Sequence, residues 1–350
     1  MLLVLSFAAM LWGIGLLVGA GRRMRVGMLA TLFAGVLLAQ LLLPDGHGLR
    51  DMTGGAAAPW LMLWGLIGVV LLYGLGIRAL KRRARGPVVE KATGGTFSAR
   101  ELDRYARHIV LREIGGPGQK RLKQARVLVV GAGGLGAPAL LYLAAAGVGT
   151  IGVVDDDEVE NSNLQRQVIH RFDHIGMPKV FSAEKAILAQ NPDIEVRPYH
   201  RRLNADIAVE LFGAYDLILD GTDNFDTRYM VNRYAAKLGK PLISGALSQW
   251  EGQLSVFDPA QGTPCYQCIF PQAPAAGLAP SCAEAGVVGP LPGVIGAMMA
   301  LEAIKLITGA GAGLRGEMLI YDALFGESRK ITLKQRHDCP ICGENKEDTI

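Results

Sequence analysis

Glycines at close spacing behind a short apolar run give this sequence a segment suited to holding phosphate groups. The run Arg126-Val-Leu-Val-Val130 leads directly into Gly131-Ala-Gly-Gly-Leu-Gly136, and Pro138 stands in the first turn of the apolar stretch that follows. This order predicts a strand, a glycine turn and a helix, whose free N–H groups and positive dipole end attract phosphates. The next predicted strand, Thr150–Val154, ends in Asp155, where a carboxylate can accept hydrogen bonds from ribose. The unit predicts nucleotide binding and fits an NAD-dependent dehydrogenase equally well.

A set of charged and polar residues farther along the chain distinguishes this sequence from that of a dehydrogenase. Arg166 lies in Asn161-Ser-Asn-Leu-Gln-Arg-Gln167, Lys179 follows a Gly-Met-Pro segment, and Asp220-Gly-Thr-Asp-Asn224 ends another predicted strand. Arginine and lysine offset phosphate charge, and an aspartate oxygen is a hard ligand for magnesium, so this set suits a triphosphate with a divalent cation. Each cation alone would be an ordinary surface charge. A hydride-transfer site requires none of these features.

Four of the five cysteines form two C-x-x-C pairs, Cys265-Tyr-Gln-Cys268 and Cys339-Pro-Ile-Cys342. Thiolates at this spacing match a tetrahedral structural zinc site, with disulfides and a redox pair as the alternatives. A cytoplasmic location disfavours stable disulfides, and two pairs disfavour a lone redox motif, so zinc is the preferred interpretation. Such a site would attach the C-terminal tail to the sheet domain. The fifth cysteine, Cys282, lies in a Pro/Ala/Gly-rich segment, Pro271–Gly289, that predicts a crossover loop.

Alternating strand and helix patterns must position these groups. Helical patterns cover 177–190, 205–213 and 226–238, and strands are predicted near 194–199, 216–220 and 241–244. Such alternation predicts an α/β fold with a Rossmann-like, doubly wound and mostly parallel sheet and helices on both faces. The remainder predicts a C-terminal antiparallel extension, with strands at about 253–258 and 317–334 and the apolar helix Val294–Thr308 between them.

The first 85 residues have a different character and are predicted to be a membrane anchor. Uncharged apolar runs lie at about 2–21, 26–43 and 60–77, and each approaches the roughly 20 residues that cross a bilayer. Basic residues follow the first and third runs, whereas the second loop holds only Arg50 against two aspartates. The positive-inside rule then predicts a multi-pass protein of the cell (inner) membrane with its N-terminus outside, a linker over 86–96 and a cytoplasmic domain over 97–350. A cleaved signal peptide is the alternative for the first run.

Charge is distributed unevenly between these parts. The whole chain nets +4, while its first 86 residues hold nine Lys/Arg and two Asp, so the remaining residues net −3. The basic excess therefore belongs to the predicted anchor, and nucleic acid is not an expected partner. The 50% hydrophobic fraction excludes a disordered chain, and the few cysteines exclude a disulfide-rich secreted scaffold. The apolar runs hold no Asp, Glu or His, which favours anchoring over transport.

Four motifs carry a family resemblance: Gly131–Gly136, Ser162–Gln167, Asp220–Asn224 and Glu251–Gln253. They resemble the ThiF/MoeB/HesA family, the bacterial relatives of ubiquitin-activating enzymes. The resemblance runs from about Phe97 to Gly343 and does not include the three apolar runs. It implies an ATP-dependent adenylyltransferase, a nucleotidyltransferase that activates the C-terminal Gly-Gly carboxylate of a small ubiquitin-like sulfur carrier (MoaD- or ThiS-like) for molybdopterin or thiamine synthesis. The implied cofactors are ATP, Mg²⁺ and Zn²⁺.

The resemblance also implies a role for each matching residue. The residues expected to hold the nucleotide are Gly131, Gly133, Gly134, Gly136, Asp155, Ser162, Asn163, Leu164, Gln165, Arg166, Lys179, Asp223 and Asn224. Asp223 would bind magnesium, and Arg107 would reach the phosphates of the neighbouring subunit in a homodimer, unless it is a helix-surface charge. Cys282 would take the activated carrier or its sulfur into a covalent bond, with a small buried residue as the alternative.

The expected chemistry is electrostatic. Arg107, Arg166, Lys179 and the metal would lower the repulsion between a carboxylate and the α-phosphate while pyrophosphate leaves, with no need for a side-chain base. Two other functions stay open: an activating enzyme for another ubiquitin-like or tRNA substrate, and a non-catalytic, nucleotide-binding membrane scaffold. No rhodanese-like domain follows Cys342, so a separate protein is the expected sulfur donor. Three histidines, His108, His170 and His174, also lie near the motifs. No pair of them has the spacing typical of metal ligands, and they are expected to be surface or core residues.

Overall fold

The chain forms two compact units, Met1–Lys91 and Ala92–Ile350. The computed structural model describes residues 2–84, 96–275 and 285–344. Of the predicted linker over 86–96, all but Thr96 lies outside the described residues.

The N-terminal unit is helical. Its helices are α1 (Leu2–Leu17), α2 (Arg22–Leu42), α3 (Gly48–Met52) and α4 (Ala58–Ala84). Two stretches, Met24–Leu42 and Ala58–Ile77, are long and apolar enough to cross a membrane. Helix α1 is apolar but has 16 residues, about 24 Å at 1.5 Å per residue, which is shorter than the roughly 30 Å hydrocarbon core of a bilayer.

The helix bounds differ from the predicted runs. The run predicted at 2–21 is helical only to Leu17, because the chain turns at Gly19, where φ is +72°. Helix α2 begins at Arg22, four residues before the run predicted at 26–43, so the basic residues of the first loop lie in its first turn. Helix α4 extends beyond the run predicted at 60–77, from Ala58 through the basic stretch to Ala84.

The second unit alternates strands and helices. Its strands are β1 (Arg126–Val130), β2 (Thr150–Asp155), β3 (Glu195–His200), β4 (Leu217–Asp220), β5 (Leu242–Leu247), β6 (Glu251–Phe257), β7 (Glu317–Asp322) and β8 (Glu327–Thr332). Its helices are α5 (Ala99–Ile109), α6 (Gly115–Gln124), α7 (Gly136–Ala146), α8 (Lys179–Gln190), α9 (Ala205–Gly213), α10 (Phe225–Lys237), α11 (Tyr266–Ile269) and α12 (Pro290–Thr308).

The eight strands form one sheet in the order β3-β2-β1-β4-β5-β6-β7-β8. The first five strands in this order, from β3 at the edge to β5, run parallel to one another. Strands β6, β7 and β8 continue the sheet, and each is antiparallel to the strand before it. The predicted doubly wound sheet with an antiparallel extension is confirmed. The chain reverses its winding direction between β1 and β4, which is the point where α/β sheets of this type bind ligands.

Each face of the sheet has its own core. Val127 and Val129 of β1 pack with α7, α8 and α12, whereas Leu128 and Val130 pack with α9 and α10. All four are at most 2% exposed, because helices cover both faces of the parallel strands.

One predicted element was wrong. The stretch 317–334, predicted as a single strand, is the antiparallel hairpin β7–β8. The chain turns between Asp322 and Glu327, where Asp322 Oδ1 accepts hydrogen bonds from the N–H groups of Leu324 and Phe325, and Gly326 has φ +71°.

Candidate functional site

A cavity of about 650 Å³ lies at the carboxyl ends of β1, β2 and β4, where the winding direction reverses. Eight of the residues predicted to hold a nucleotide line it: Gly131, Gly133, Gly134, Asp155, Arg166, Lys179, Asp223 and Asn224. Among the described residues, Gly136 and the segment 162–165 were also predicted to bind but do not line this cavity. The structure therefore brings together residues from five separate segments of the sequence.

The glycine-rich turn between β1 and α7 depends on close backbone approach. Gly131 has φ +92°, a conformation that glycine adopts without steric cost. At Gly136, the first residue of α7, an added Cβ would overlap the carbonyl oxygen of Gly131. Gly136 therefore lets the helix begin directly behind the strand, a packing role that explains its place outside the cavity wall. At Gly134 an added Cβ would lie 3.1 Å from Pro292 of α12.

Asp155, at the end of β2, is fixed by two backbone N–H groups. Its Oδ2 accepts from Ala132 N at 2.7 Å, and its Oδ1 accepts from Asp157 N at 2.8 Å. Burial raises the pKa of Asp155 above its ordinary value, while Lys179 and these hydrogen bonds act in the opposite direction. Each carboxylate oxygen retains a lone pair, so Asp155 can still accept from a ribose hydroxyl in the cavity.

Lys179 is the first residue of α8, and its side chain is only 7% exposed. Its Nζ donates to Oδ2 of Asp157 at 2.6 Å. Asp157 itself is largely exposed, so this ion pair lies at the cavity wall and not in the core. A phosphate in the cavity would compete with Asp157 for the ammonium group.

The polar run 161–167 folds as a short turn whose side chains bond to one another. Arg166 Nη1 donates to the carbonyl of Ser162 at 3.1 Å, and Ser162 Oγ donates to Glu160 Oε2 at 3.2 Å. Within this run Arg166 and Gln167 line the cavity. The turn thus directs one cation of the predicted set towards the site, while Ser162 helps to hold that cation in place.

The two carboxylates of the segment Asp220–Asn224 have different roles. Asp220 is 1% exposed and accepts from the N–H and hydroxyl of Thr222 at 3.0 and 2.7 Å. Asn224 caps α10 by accepting from Thr227 N at 2.9 Å. Asp223 is exposed and lines the cavity, so its carboxylate is the one available to a cation in the site.

Three arginines that the sequence motifs do not indicate also line the cavity: Arg201, Arg202 and Arg228. Arg228 is buried and donates to Ser244 Oγ at 3.1 Å, to the carbonyl of Gly245 at 2.7 Å and to the carbonyl of Thr222. It thereby ties the loop that holds Asp223 to β5. Arg201 and Arg202 could have been recognised as site residues because they follow shortly after a predicted strand. That position puts them at the sheet edge where the other motifs end.

Two other residues were predicted to be catalytic. Arg107 is exposed on α5 and does not line the cavity of its own chain. Cys282 lies outside the described residues. The roles assigned to both stay predictions.

The two C-x-x-C pairs meet although 70 residues separate them in sequence. Sγ–Sγ separations are 3.9 Å for Cys265–Cys268, 3.6 Å for Cys265–Cys339 and 3.3 Å for Cys268–Cys342. A disulfide would require about 2.05 Å, whereas a tetrahedron with metal–sulfur distances of about 2.3 Å has edges near 3.8 Å. Backbone Arg336 N lies 3.5 Å from Cys268 Sγ, as expected for a donor to a thiolate. The four sulfurs are arranged to hold a metal ion.

The fold and the cavity together define a nucleotide-binding α/β protein of the doubly wound class. The sequence model of the ThiF family matches residues 105–341, and the chain belongs to this family. The resemblance stated from the motifs is confirmed.

Relatives with assigned names match the same part of the chain. A sulfur carrier protein adenylyltransferase of Thermus thermophilus is 50% identical over 252 residues, which cover 71% of this chain and 93% of that protein. The SAMP-activating enzyme E1 of Haloferax volcanii is 47% identical over 255 residues, covering 73% of this chain and 94% of that protein. The probable adenylyltransferase/sulfurtransferase MoeZ of Mycobacterium tuberculosis is 52% identical over 257 residues, which cover 73% of this chain and 65% of MoeZ.

Solved structures share the fold at lower identity. A crystal structure of E. coli MccB with MccA-N7isoASN superimposes with a TM-score of 0.60 at 24% identity, covering 69% of this chain and 75% of that one. The structure of PaaA gives a TM-score of 0.60 at 23% identity, covering 84% of this chain and 91% of that one.

Proposed function

We propose that this protein is an ATP-dependent adenylyltransferase that activates the C-terminal Gly-Gly carboxylate of a small ubiquitin-like sulfur carrier, MoaD- or ThiS-like, for molybdopterin or thiamine synthesis. The observation that carries the proposal is the convergence of the glycine turn, Arg166, Lys179 and Asp223 on one cavity. Over 252 aligned residues, 50% are identical to those of a protein named sulfur carrier protein adenylyltransferase, which supports the same reaction class here.

The charges at the cavity support this assignment. Both charges line the cavity: the cations are Arg166, Lys179, Arg201, Arg202 and Arg228, and the carboxylates are Asp155, Asp156, Asp157 and Asp223. A polyphosphate needs the cations, and a divalent ion with a ribose needs the carboxylates, so a wall of mixed charge suits a metal-bound nucleoside triphosphate.

The reaction is a displacement at phosphorus. A carboxylate oxygen of the carrier forms a bond to the α-phosphorus, and the bond from that phosphorus to the bridging oxygen breaks, so its electron pair leaves with pyrophosphate. No proton has to move. Arg166 and Lys179 would hold the phosphate oxygens and reduce the repulsion between the two anions, which makes the catalysis positional and electrostatic.

The donor sets fit the two proposed metals. Asp223 offers an exposed carboxylate in the cavity and would hold Mg²⁺, which would supply further neutralisation of phosphate charge. The cysteine cluster offers four sulfurs within 4.8 Å of one another and would hold Zn²⁺ in a structural role. Measured zinc near one equivalent per chain, lost in a Cys339→Ser variant, would support that assignment.

The surroundings of the enzyme are also part of the proposal. Helices α2 and α4 would anchor the chain in the cell membrane with α1 as a further span, and the basic residues at the start of α2 and at the end of α4 support a cytoplasmic catalytic unit. In a homodimer Arg107 of each subunit would reach the phosphates bound by its partner. A separate protein would donate sulfur. Cys282 would attack the acyl carbonyl of the adenylate, either as a thiolate or as a persulfide loaded by that donor protein, so that a thioester or an acyl persulfide forms and AMP leaves.

The test is ATP–pyrophosphate exchange with the full-length chain in detergent. Candidate carriers ending in Gly-Gly are added one at a time, each beside a version that lacks both glycines. Exchange that depends on one intact carrier is the expected result, and it identifies the pathway. ATP binding without exchange with any carrier would contradict the proposal and favour a nucleotide-binding scaffold. Exchange driven by a tRNA would favour the other alternative.

A further inference from the structure

A buried histidine, His170, connects the phosphate-binding segments in a way that the motifs do not reveal. It is 6% exposed and lies between Arg166 and Lys179 in sequence. Its Nε2 is 2.9 Å from the carbonyl oxygen of Ala132 in the glycine turn. Its Nδ1 is 2.8 Å from the hydroxyl of Ser182, one turn after Lys179 on α8. His170 thus links the glycine turn to the helix that carries Lys179.

The partners of His170 determine where its proton lies. A carbonyl oxygen can only accept, so Nε2 must carry the proton and donate it to Ala132. In the neutral ring Nδ1 then accepts from the hydroxyl of Ser182. That hydroxyl in turn accepts from His174 Nδ1, which lies 2.9 Å away. Burial, together with the nearby Lys179, lowers the pKa of His170 to about 4, which keeps the ring neutral near pH 7.

The hydrogen bond to Ala132 also fixes the next N–H group. Peptide units are planar and, in this chain, trans among the described residues, so the carbonyl of Ala132 and the N–H of Gly133 point in opposite directions. Gly133 lines the cavity, and its N–H has no hydrogen-bond partner within the part of the chain that the structure describes. Gly133 has no Cβ to restrict this peptide, so the bond from His170 is a contact that holds its orientation.

We propose that His170 is a positioning residue that holds the Ala132–Gly133 peptide so that the Gly133 N–H donates to a phosphate of the bound nucleotide. The proposal rests on the nucleotide site proposed above. The preceding peptide, Gly131–Ala132, is held independently of His170, because Ala132 N donates to Asp155. His170 therefore controls one donor and leaves in place the contact that Asp155 would make to the ribose.

The test compares two ligands on the full-length chain in detergent, ATP and adenosine, by competition against a fluorescent ATP analogue. His170→Phe keeps a ring but removes the bond to Ala132, and we expect affinity for ATP to fall about tenfold while affinity for adenosine stays within about twofold. His170→Gln returns an N–H near the position of Nε2, and we expect it to restore ATP affinity to within about threefold of wild type.

Controls separate this role from simple packing. His337→Phe changes an exposed histidine and should leave both affinities unchanged. If His170→Phe does not fold, Ser182→Ala serves in its place, and we expect a smaller loss that is again confined to ATP. Equal losses for ATP and adenosine, or no loss for either, would overturn the positioning role. Failure of the wild-type protein to bind ATP would instead refute the proposed function itself.

Discussion

Helices α4 and α12 are both long and apolar enough to cross a membrane, yet within their own units they have opposite surroundings. Half of the α12 stretch is buried, compared with 6% of the corresponding α4 stretch. On α12 the side chains of Ile295, Met299 and Ala303 are fully buried at four-residue spacing. On α4 the side chains of Met62 and Val69 are 74% and 63% exposed.

The reason lies in the sheet that receives α12. A Cβ added to Gly245 of β5 would lie 2.7 Å from Met299 Sδ, and one added to Gly252 of β6 would overlap Ile295. Glycines on two neighbouring strands therefore make room for one face of the helix. Helix α4 buries Trp60 near its start, where the indole donates to Thr53 O at 3.1 Å, but among the described residues of its unit most of its length has no such surface to pack on. An apolar helix can therefore either pack in a protein core or span a membrane. The outcome depends on whether its unit provides a surface on which the helix can pack.

The largest expected effect comes from a charge on the buried face of α12. In Met299→Asp a carboxylate would lie unpaired against β5, and we expect a loss of about 4 kcal/mol or more in the free energy of unfolding, with loss of ATP binding. Thermal unfolding and ATP titration in detergent measure both. Leu301→Asp, at a residue 55% exposed on the same helix, is the matched control and should retain both properties. Normal stability of Met299→Asp would show that α12 is not a core helix.

A second test asks whether catalysis resides in the unit that contains α12. Lys179→Met removes a cation at the cavity, and we expect carrier-dependent ATP–pyrophosphate exchange to fall about 100- to 1000-fold, as for loss of a group that stabilises transition-state charge. Lys185→Met, on the exposed side of the same helix, should exchange normally. A loss below about threefold for Lys179→Met would remove Lys179 from the mechanism.

A charge on α4 should have the complementary effect. In Val69→Asp the carboxylate lies near the middle of the apolar stretch, where it opposes membrane insertion by about 3 kcal/mol. We expect a larger soluble or degraded fraction in cells and unchanged exchange activity per folded protein, as measured by membrane fractionation. Val209→Asp places the same change on an exposed position of α9 and should not alter fractionation. Undiminished membrane association of Val69→Asp would argue against α4 as a span.

Most of the α/β fold could be predicted because each βα unit shows its own local pattern, and helices α8, α9 and α10 lie within two residues of the predicted bounds. The hairpin β7–β8 could not be predicted, because its turn at Gly326 interrupts a stretch that otherwise has the pattern of one strand. The motif residues of the site were found through their spacing. Arg228 and His170 were missed as site residues because their roles depend on contacts made only in the folded chain, such as the bond from His170 to Ala132, 38 residues away.

The smallest expected effect tests His170 through pH. The pKa of His170 in the folded protein is about 4, below its ordinary value of 6.5, because burial and the nearby Lys179 and His174 disfavour the charged ring, while the hydrogen bond to Ala132 acts in the opposite direction. The unfolded state therefore binds more protons between pH 6.5 and about 4, and stability contributed by the neutral ring is complete above pH 6.5 and is lost as the pH falls through this window. From pH 7 to pH 5 the loss should be about 2 kcal/mol.

Denaturant unfolding of the wild-type chain and of His170→Gln at both pH values measures this loss. Glutamine does not titrate, so we expect the variant to be less stable at pH 7 but to lose about 2 kcal/mol less than wild type on acidification. Parallel pH profiles would mean that the ring is already charged or exposed in the folded protein. In that case His170 would not be held as a buried neutral ring that donates from Nε2 and accepts at Nδ1, and the link between the glycine turn and α8 would have to rest on other contacts.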